Sequence, residues 1–222
     1  MKTHSTEENF LILKKRVLQI AGMTINEIAD LYSVEVPPNL LKNKGWVGQL
    51  IEIALGVKNN SRPEPDFPDL GIELKTLPIN SKRKPKESTY VCMAPLQNLE
   101  NLSFENSIVG KKLAHVLWLP IEADNSIPLP KRRVGQGIFW KPNTEEFSQL
   151  KSDFNEITDQ IALGKVEDIR AHQGVYLQLR PKAANSKILT QATSPDGDLM
   201  MTLPRGFYLR TQFTQRILQH YY

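Results

Sequence analysis

Three side chains within residues 65–75 (Pro-Asp-Phe-Pro-Asp-Leu-Gly-Ile-Glu-Leu-Lys) could do chemistry together: Asp66, Glu73 and Lys75. After Gly71 the run Ile-Glu-Leu-Lys-Thr-Leu alternates with period two. That places Glu73 and Lys75 on one face of a strand and Ile72 and Leu74 on the other. Asp69 and Gly71 mark a tight turn, giving strand, turn, strand. Asp66 enters just before the turn and can lie beside Glu73 if the two segments run together. Converging carboxylates repel unless a cation lies between them. Mg²⁺ suits such a pair, because it takes one or two carboxylates and keeps water and phosphate oxygens in its shell. A lysine two residues beyond the glutamate can orient or deprotonate the attacking water, or stabilise the pentacovalent phosphate. The set fits metal-assisted phosphodiester hydrolysis. An exposed cross-strand ion pair worth at most about 1 kcal/mol fits the same spacing, so spacing alone leaves both readings open.

Several elements must position this stretch. Ser5-x-x-Glu8 and Thr24-x-x-Glu27 are capping boxes that open two scaffold helices, and Pro37-Pro38 ends that pattern. Residues 49–55 form an apolar helix closed by Gly56. Glu52 is its odd member: either the one wet position, or a further acid beside Asp66 and Glu73. Lys44 lies in the glycine-containing loop before this helix. Ser81–Lys86 is a basic run, followed by a strand from Ser88 to Ala94 and a helix from about Ser103 to Lys112. Residues 115–120 make a buried strand, and Asn143-x-x-Glu146 caps a long amphipathic helix that ends at Gly164. A strand over 175–179 runs into Arg180-Pro181-Lys182, where Pro181 fixes a sharp exit and another helix is expected to start. Pro195-Asp196-Gly197 is a turn, and residues 203–210 lead to a closing helix. Arg180 and Lys182 at a rigid corner, with Tyr208 as an exposed aromatic, suit major-groove reading through guanine O6 and N7. A charged rim over a core tyrosine is the alternative.

Composition narrows the classes. The chain has 222 residues and a net charge of +4, with a pI near 9.1, compatible with a polyanionic partner. A single cysteine, Cys92, rules out an intrachain disulfide. The four histidines are scattered, which disfavours a zinc hydrolase. Neither a Gly-x-Ser-x-Gly elbow nor a Gly-Lys-Ser/Thr phosphate loop is present. No apolar run reaches membrane-spanning length and the N-terminus has no apolar leader core, so a cytoplasmic protein without membrane contact is expected.

Pro65-Asp66 followed by Glu73-Leu74-Lys75 resembles the PD-(D/E)xK signature of restriction-endonuclease-like nucleases. Within them the chain is similar to the MutH family, the strand-nicking endonucleases of methyl-directed mismatch repair. The matching segments are 44–48, 52–56, 66–76, 116–120, 132–135, 176–185 and 203–209, in family order. The resemblance implies an α/β fold with a mixed sheet flanked by helices. One domain would form two lobes, roughly 1–120 catalytic and 121–222 DNA-reading, as arms of a cleft for duplex DNA. It implies Mg²⁺-dependent nicking, with Mn²⁺ as substitute, 5′ to the G of GATC on the unmethylated strand of hemimethylated sites. Asp66, Glu73 and Glu52 would serve the metal, and Lys75 the attacking water. Arg180, Pro181, Lys182 and Tyr208 match base-reading and methyl-sensing positions. Lys44 and Lys112 match positions near the scissile phosphate and backbone. MutL would activate the enzyme, MutS would act upstream, and the protein would work as a monomer. An orthodox type II restriction enzyme that cuts both strands of GATC is the nearest rival.

Overall fold

A computed structural model describes residues 5–37, 45–57 and 63–222. In chain order the elements are α1 (Thr6–Ile20), α2 (Ile25–Leu31), α3 (Trp46–Leu55), β1 (Glu73–Ile79), β2 (Thr89–Met93), α4 (Ile108–Leu113), β3 (Val116–Glu122) and β4 (Ile138–Trp140). They continue with α5 (Thr144–Ala162), β5 (Leu177–Pro181), β6 (Thr190–Thr193), β7 (Leu199–Thr202), β8 (Arg205–Leu209) and α6 (Thr211–Tyr221). The chain is α/β, with mixed and antiparallel sheets flanked by helices. It divides into two compact units, Met1–Lys86 with Ala114–Lys141, and Glu87–Leu113 with Pro142–Tyr222. The units are therefore interleaved along the chain, where the sequence suggested successive lobes. The reason is that β3 pairs with β1 while β2 pairs with β8. Among the described residues no helix is long and apolar enough to cross a membrane.

The first unit is built on β1. It lies parallel to β3 with Glu73 opposite Val116 and Lys75 opposite Trp118, and β4 runs antiparallel on the far side of β3. The helices α1 to α3 supply one face of the core. Leu13, Val17 and Ile20 of α1, Ile25 and Ile28 of α2, and Leu50, Ile51, Ala54 and Leu55 of α3 bury against Ile72, Leu74, Leu117 and Leu119. Both expected capping boxes form, Ser5 with Glu8 and Thr24 with Glu27. Arg16 of α1 donates from Nη1 to the Leu55 carbonyl at 2.8 Å, closing the last turn of α3.

The second unit centres on β8, between β2 and β5 in an antiparallel sheet. Phe207 and Leu209 point into its core, and α5 packs on β5. Asp153 of α5 is only 2% exposed. Its carboxylate accepts the backbone N–H groups of Val175 (3.0 Å), Tyr176 (2.6 Å) and Leu177 (2.8 Å), and an N–H of Gln149 (2.8 Å). With the Val175 and Tyr176 amides turned to Asp153, β5 starts at Leu177 and not at Val175 as the sequence suggested. Two expected helices also differ. The one expected from Ser103 begins at Ile108, since Ser103 and Asn106 close a separate turn through reciprocal side-chain bonds. No helix follows Lys182: its N–H donates to Pro204 O at 2.7 Å and prolongs the β5–β8 ladder, after which the chain forms the β6–β7 hairpin.

Asp153→Ala removes the acceptors of three backbone amides at a buried strand start. The expected cost is about 3–5 kcal/mol, read by urea unfolding. A loss below about 1 kcal/mol, as at an ordinary surface position, would contradict this role.

Candidate active site and base-reading face

The turn before β1 brings the carboxylates together. Pro68–Leu70 is a single 3₁₀ turn, and Gly71 takes φ +61°, a left-handed conformation that glycine adopts without strain. Phe67 and Ile72 then exchange backbone hydrogen bonds, Phe67 N to Ile72 O at 2.9 Å and Ile72 N to Phe67 O at 3.2 Å. This single bridge replaces the first of the two expected strands. Asp66 is held to the start of β1 because its Oδ2 accepts the N–H of Leu74 at 2.8 Å. Glu73, whose N–H donates to His115 O at 3.0 Å, is 1% exposed.

Lys75 emerges on the same face as Glu73, and its ammonium donates to Glu73 Oε1 at 2.6 Å. The Lys75 side chain is 16% exposed, so the pair has one open side. Register places the buried Val116 and Trp118 beside it on that face. The exposed surface pair that the spacing also allowed is not what forms. A carboxylate this deeply buried is costly unless paired.

Glu52 is half-buried on α3, beside the inward residues Ile51 and Leu55. Burial pushes its carboxyl pKa up, and the charges of Asp66 and Glu73 push it further, against an opposing pull from Lys75. Glu52 thus lies within electrostatic reach of the other three. Among the described residues, however, no three His, Cys, Asp or Glu side chains gather into a cage for a metal ion. The expected ligand set of Asp66, Glu73 and Glu52 is not closed. The donors fit a hard cation that needs one or two carboxylates and fills its shell with water and phosphate oxygens, as Mg²⁺ does. Lys44 lies outside the described residues.

A second cluster lies on the second unit's sheet. In register, Tyr208 pairs with Tyr90 and Gln178, and Arg180 pairs with Gly206. Alternation therefore puts Tyr90, Gln178, Arg180, Gly206 and Tyr208 on one face. The two tyrosine rings meet edge to face, centroids 5.3 Å apart. The Arg180 guanidinium lies 5.5 Å from the Tyr208 ring and the Lys182 ammonium 4.8 Å from the Tyr90 ring. Gly206 makes this possible, since a Cβ there would meet both rings at 3.0–3.3 Å. Tyr208 is half-buried, not exposed as expected; burial pushes its phenol pKa up despite the opposing pull of Arg180. Pro181 and Lys182 stay exposed at the end of β5. Lys112 is half-buried in the last turn of α4 in the same unit.

The structure thus joins Asp66, Glu73 and Lys75, with Glu52 nearby, in one unit. It joins Arg180, Lys182 and Tyr208 in the other. Sequence reasoning missed Tyr90, whose only signal was an aromatic on a strand, and Asp153, which read as part of an amphipathic helix.

Comparison with known proteins agrees with this geometry. Residues 55–153 match the model of the family described as DNA mismatch repair enzyme MutH. A DNA mismatch repair protein MutH of Shewanella baltica (strain OS155) is 52% identical over 211 residues, 95% of each chain. Those of Shewanella oneidensis and of Shewanella sp. (strain MR-7) are each 51% identical over 218 residues, 98% of each chain. With near full-length identity of this order, and with Asp66, Glu73 and Lys75 gathered at the head of β1, the chain belongs to the MutH family of DNA mismatch repair enzymes.

Proposed function

We propose that this chain is a mismatch-repair endonuclease that nicks DNA 5′ to the G of GATC, on the unmethylated strand of hemimethylated sites. The observation that carries the reading is the pairing of buried Glu73 with Lys75, with Asp66 fixed one residue along the same strand. Asp66 and Glu73 would hold Mg²⁺, or Mn²⁺ in its place, with Glu52 assisting. When bound, the cation would supply Lewis-acid polarisation of the scissile phosphate. Lys75 orients the attacking water from the open side of the pair and stabilises the negative charge that grows on the phosphate. Lys44 and Lys112 would contact the DNA backbone. Arg180, Pro181, Lys182 and Tyr208 would read the site.

Adenine N6 lies in the major groove, and one methyl there removes a donor hydrogen and adds bulk. The Tyr208 phenol, a neutral hydroxyl whose pKa burial pushes further up, offers both a donor and a ring edge to register that change. Family membership supports activation by MutL, MutS acting upstream, work as a monomer, and a cytoplasmic setting.

Two outcomes are expected. Glu73→Ala and Lys75→Ala should abolish Mg²⁺-dependent nicking of a GATC plasmid and leave GATC binding measurable in gel-shift assays. Wild-type nicking by Lys75→Ala would refute the assignment. The second outcome concerns Glu52. Its folded pKa is raised, so its protonated carboxyl favours folding below the ordinary value of 4.5, and that contribution is lost as pH rises through the folded pKa. Without metal, Glu52→Gln should therefore melt about 1–3 °C above wild type at pH 7.5, and level with it below pH ~4. Added Mg²⁺ should stabilise wild type more than the variant. A variant that melts below wild type at pH 7.5 without metal would contradict the crowding of charge inferred here.

A further inference from the structure

Arg180 is solvent-exposed, yet its side chain is tied down on two sides. Its Nη1 donates to Ser88 Oγ at 2.6 Å, and its guanidinium carbon lies 5.5 Å from the Tyr208 ring. Ser88 sits immediately before β2 and Tyr208 lies on β8, so the two restraints come from different parts of the sheet. The Arg180 backbone is fixed as well, opposite Gly206 in the β5–β8 ladder. Among the described residues, Nε and Nη2 of Arg180 have no partner. Those two N–H groups form one parallel edge of the guanidinium, the geometry that donates to guanine O6 and N7 together. An arginine turning freely in solvent would present any edge. One held by Nη1 has a chosen edge to offer.

We propose that Ser88 is a positioning residue for base recognition: by accepting from Nη1 it orients Arg180 so that the Nε–Nη2 edge is the one that reads guanine. The inference rests on the reading of Arg180 given above.

The test uses the full-length protein with Mg²⁺ on two duplexes that carry one hemimethylated GATC. One has natural guanines, and the other has 7-deazaguanine in the site, which lacks the N7 acceptor. The readout is the ratio of nicking rates for wild type, Ser88→Ala, Ser88→Thr and Arg180→Ala, with melting temperatures as fold control. Wild type should favour the natural site about 10–100-fold, the range of one good bidentate contact. Ser88→Ala should cut that ratio at least threefold, and Ser88→Thr, which restores the hydroxyl, should keep it. A purely structural role would slow both substrates in step and leave the ratio unchanged. If Ser88→Ala keeps the wild-type ratio while Arg180→Ala loses it, this inference fails and the reading of Arg180 stands. If wild type does not distinguish the two duplexes, the reading of Arg180 fails and this inference with it.

Discussion

A carboxylate as buried as Glu73 must be compensated by a cation or by several N–H donors, and Lys75 provides a cation at 2.6 Å. Much of the first unit follows from that constraint. Both residues must be on one face of one strand, which the period of β1 ensures. That strand must be dry on the same face, which Val116 and Trp118 of the parallel neighbour ensure. Its opposite face must be anchored, which α1, α2 and α3 do through Ile72 and Leu74. The turn at Gly71 then aims Asp66 at the strand start through the N–H of Leu74. With Glu52 close enough to feel these charges, negative charge is concentrated around Lys75. Such a cluster is costly to keep ionised and suited to a cation.

The second unit solves a different problem, presenting cations rigidly on a surface. Arg180 and Lys182 each sit over a tyrosine ring, and the rings brace each other. The strand that carries Arg180 is fixed at its origin by Asp153, which satisfies three successive amides from inside the core. Arg210 adds to this anchoring by donating to the carbonyls of His172 and Gly174 at 2.8 and 2.6 Å. The chain thus spends a buried charge on each unit, one near the proposed chemistry and one beneath the proposed base-reading strand.

How much of this was legible in the sequence depended on how local each signal was. Asp66, the turn, Glu73 and Lys75 fall within ten residues of chain, so period and turn chemistry sufficed to group them. Capping boxes at Ser5, Thr24 and Asn143 could be read for the same reason, and all three form. The helix expected after Lys182 failed because the local preference of Ala-Ala-Asn-Ser-Lys lost to strand pairing with Pro204, far along the chain. Tyr90 and Tyr208 meet only through β2–β8 register, and Asp153 finds its amides more than twenty residues downstream. No periodicity within α5 signals such partners. The interleaving of the two units is hidden for the same reason, since it follows from which strands pair.

The central claim is that this chain cuts one strand, chosen by methylation, under control of a partner. The most direct test is a strand-resolved nicking assay on a supercoiled plasmid with one hemimethylated GATC and Mg²⁺, with and without MutL and ATP. The account predicts open-circle product cut only on the unmethylated strand and accelerated by MutL. Linear product as the first species without MutL, or intact plasmid despite GATC binding, would contradict it.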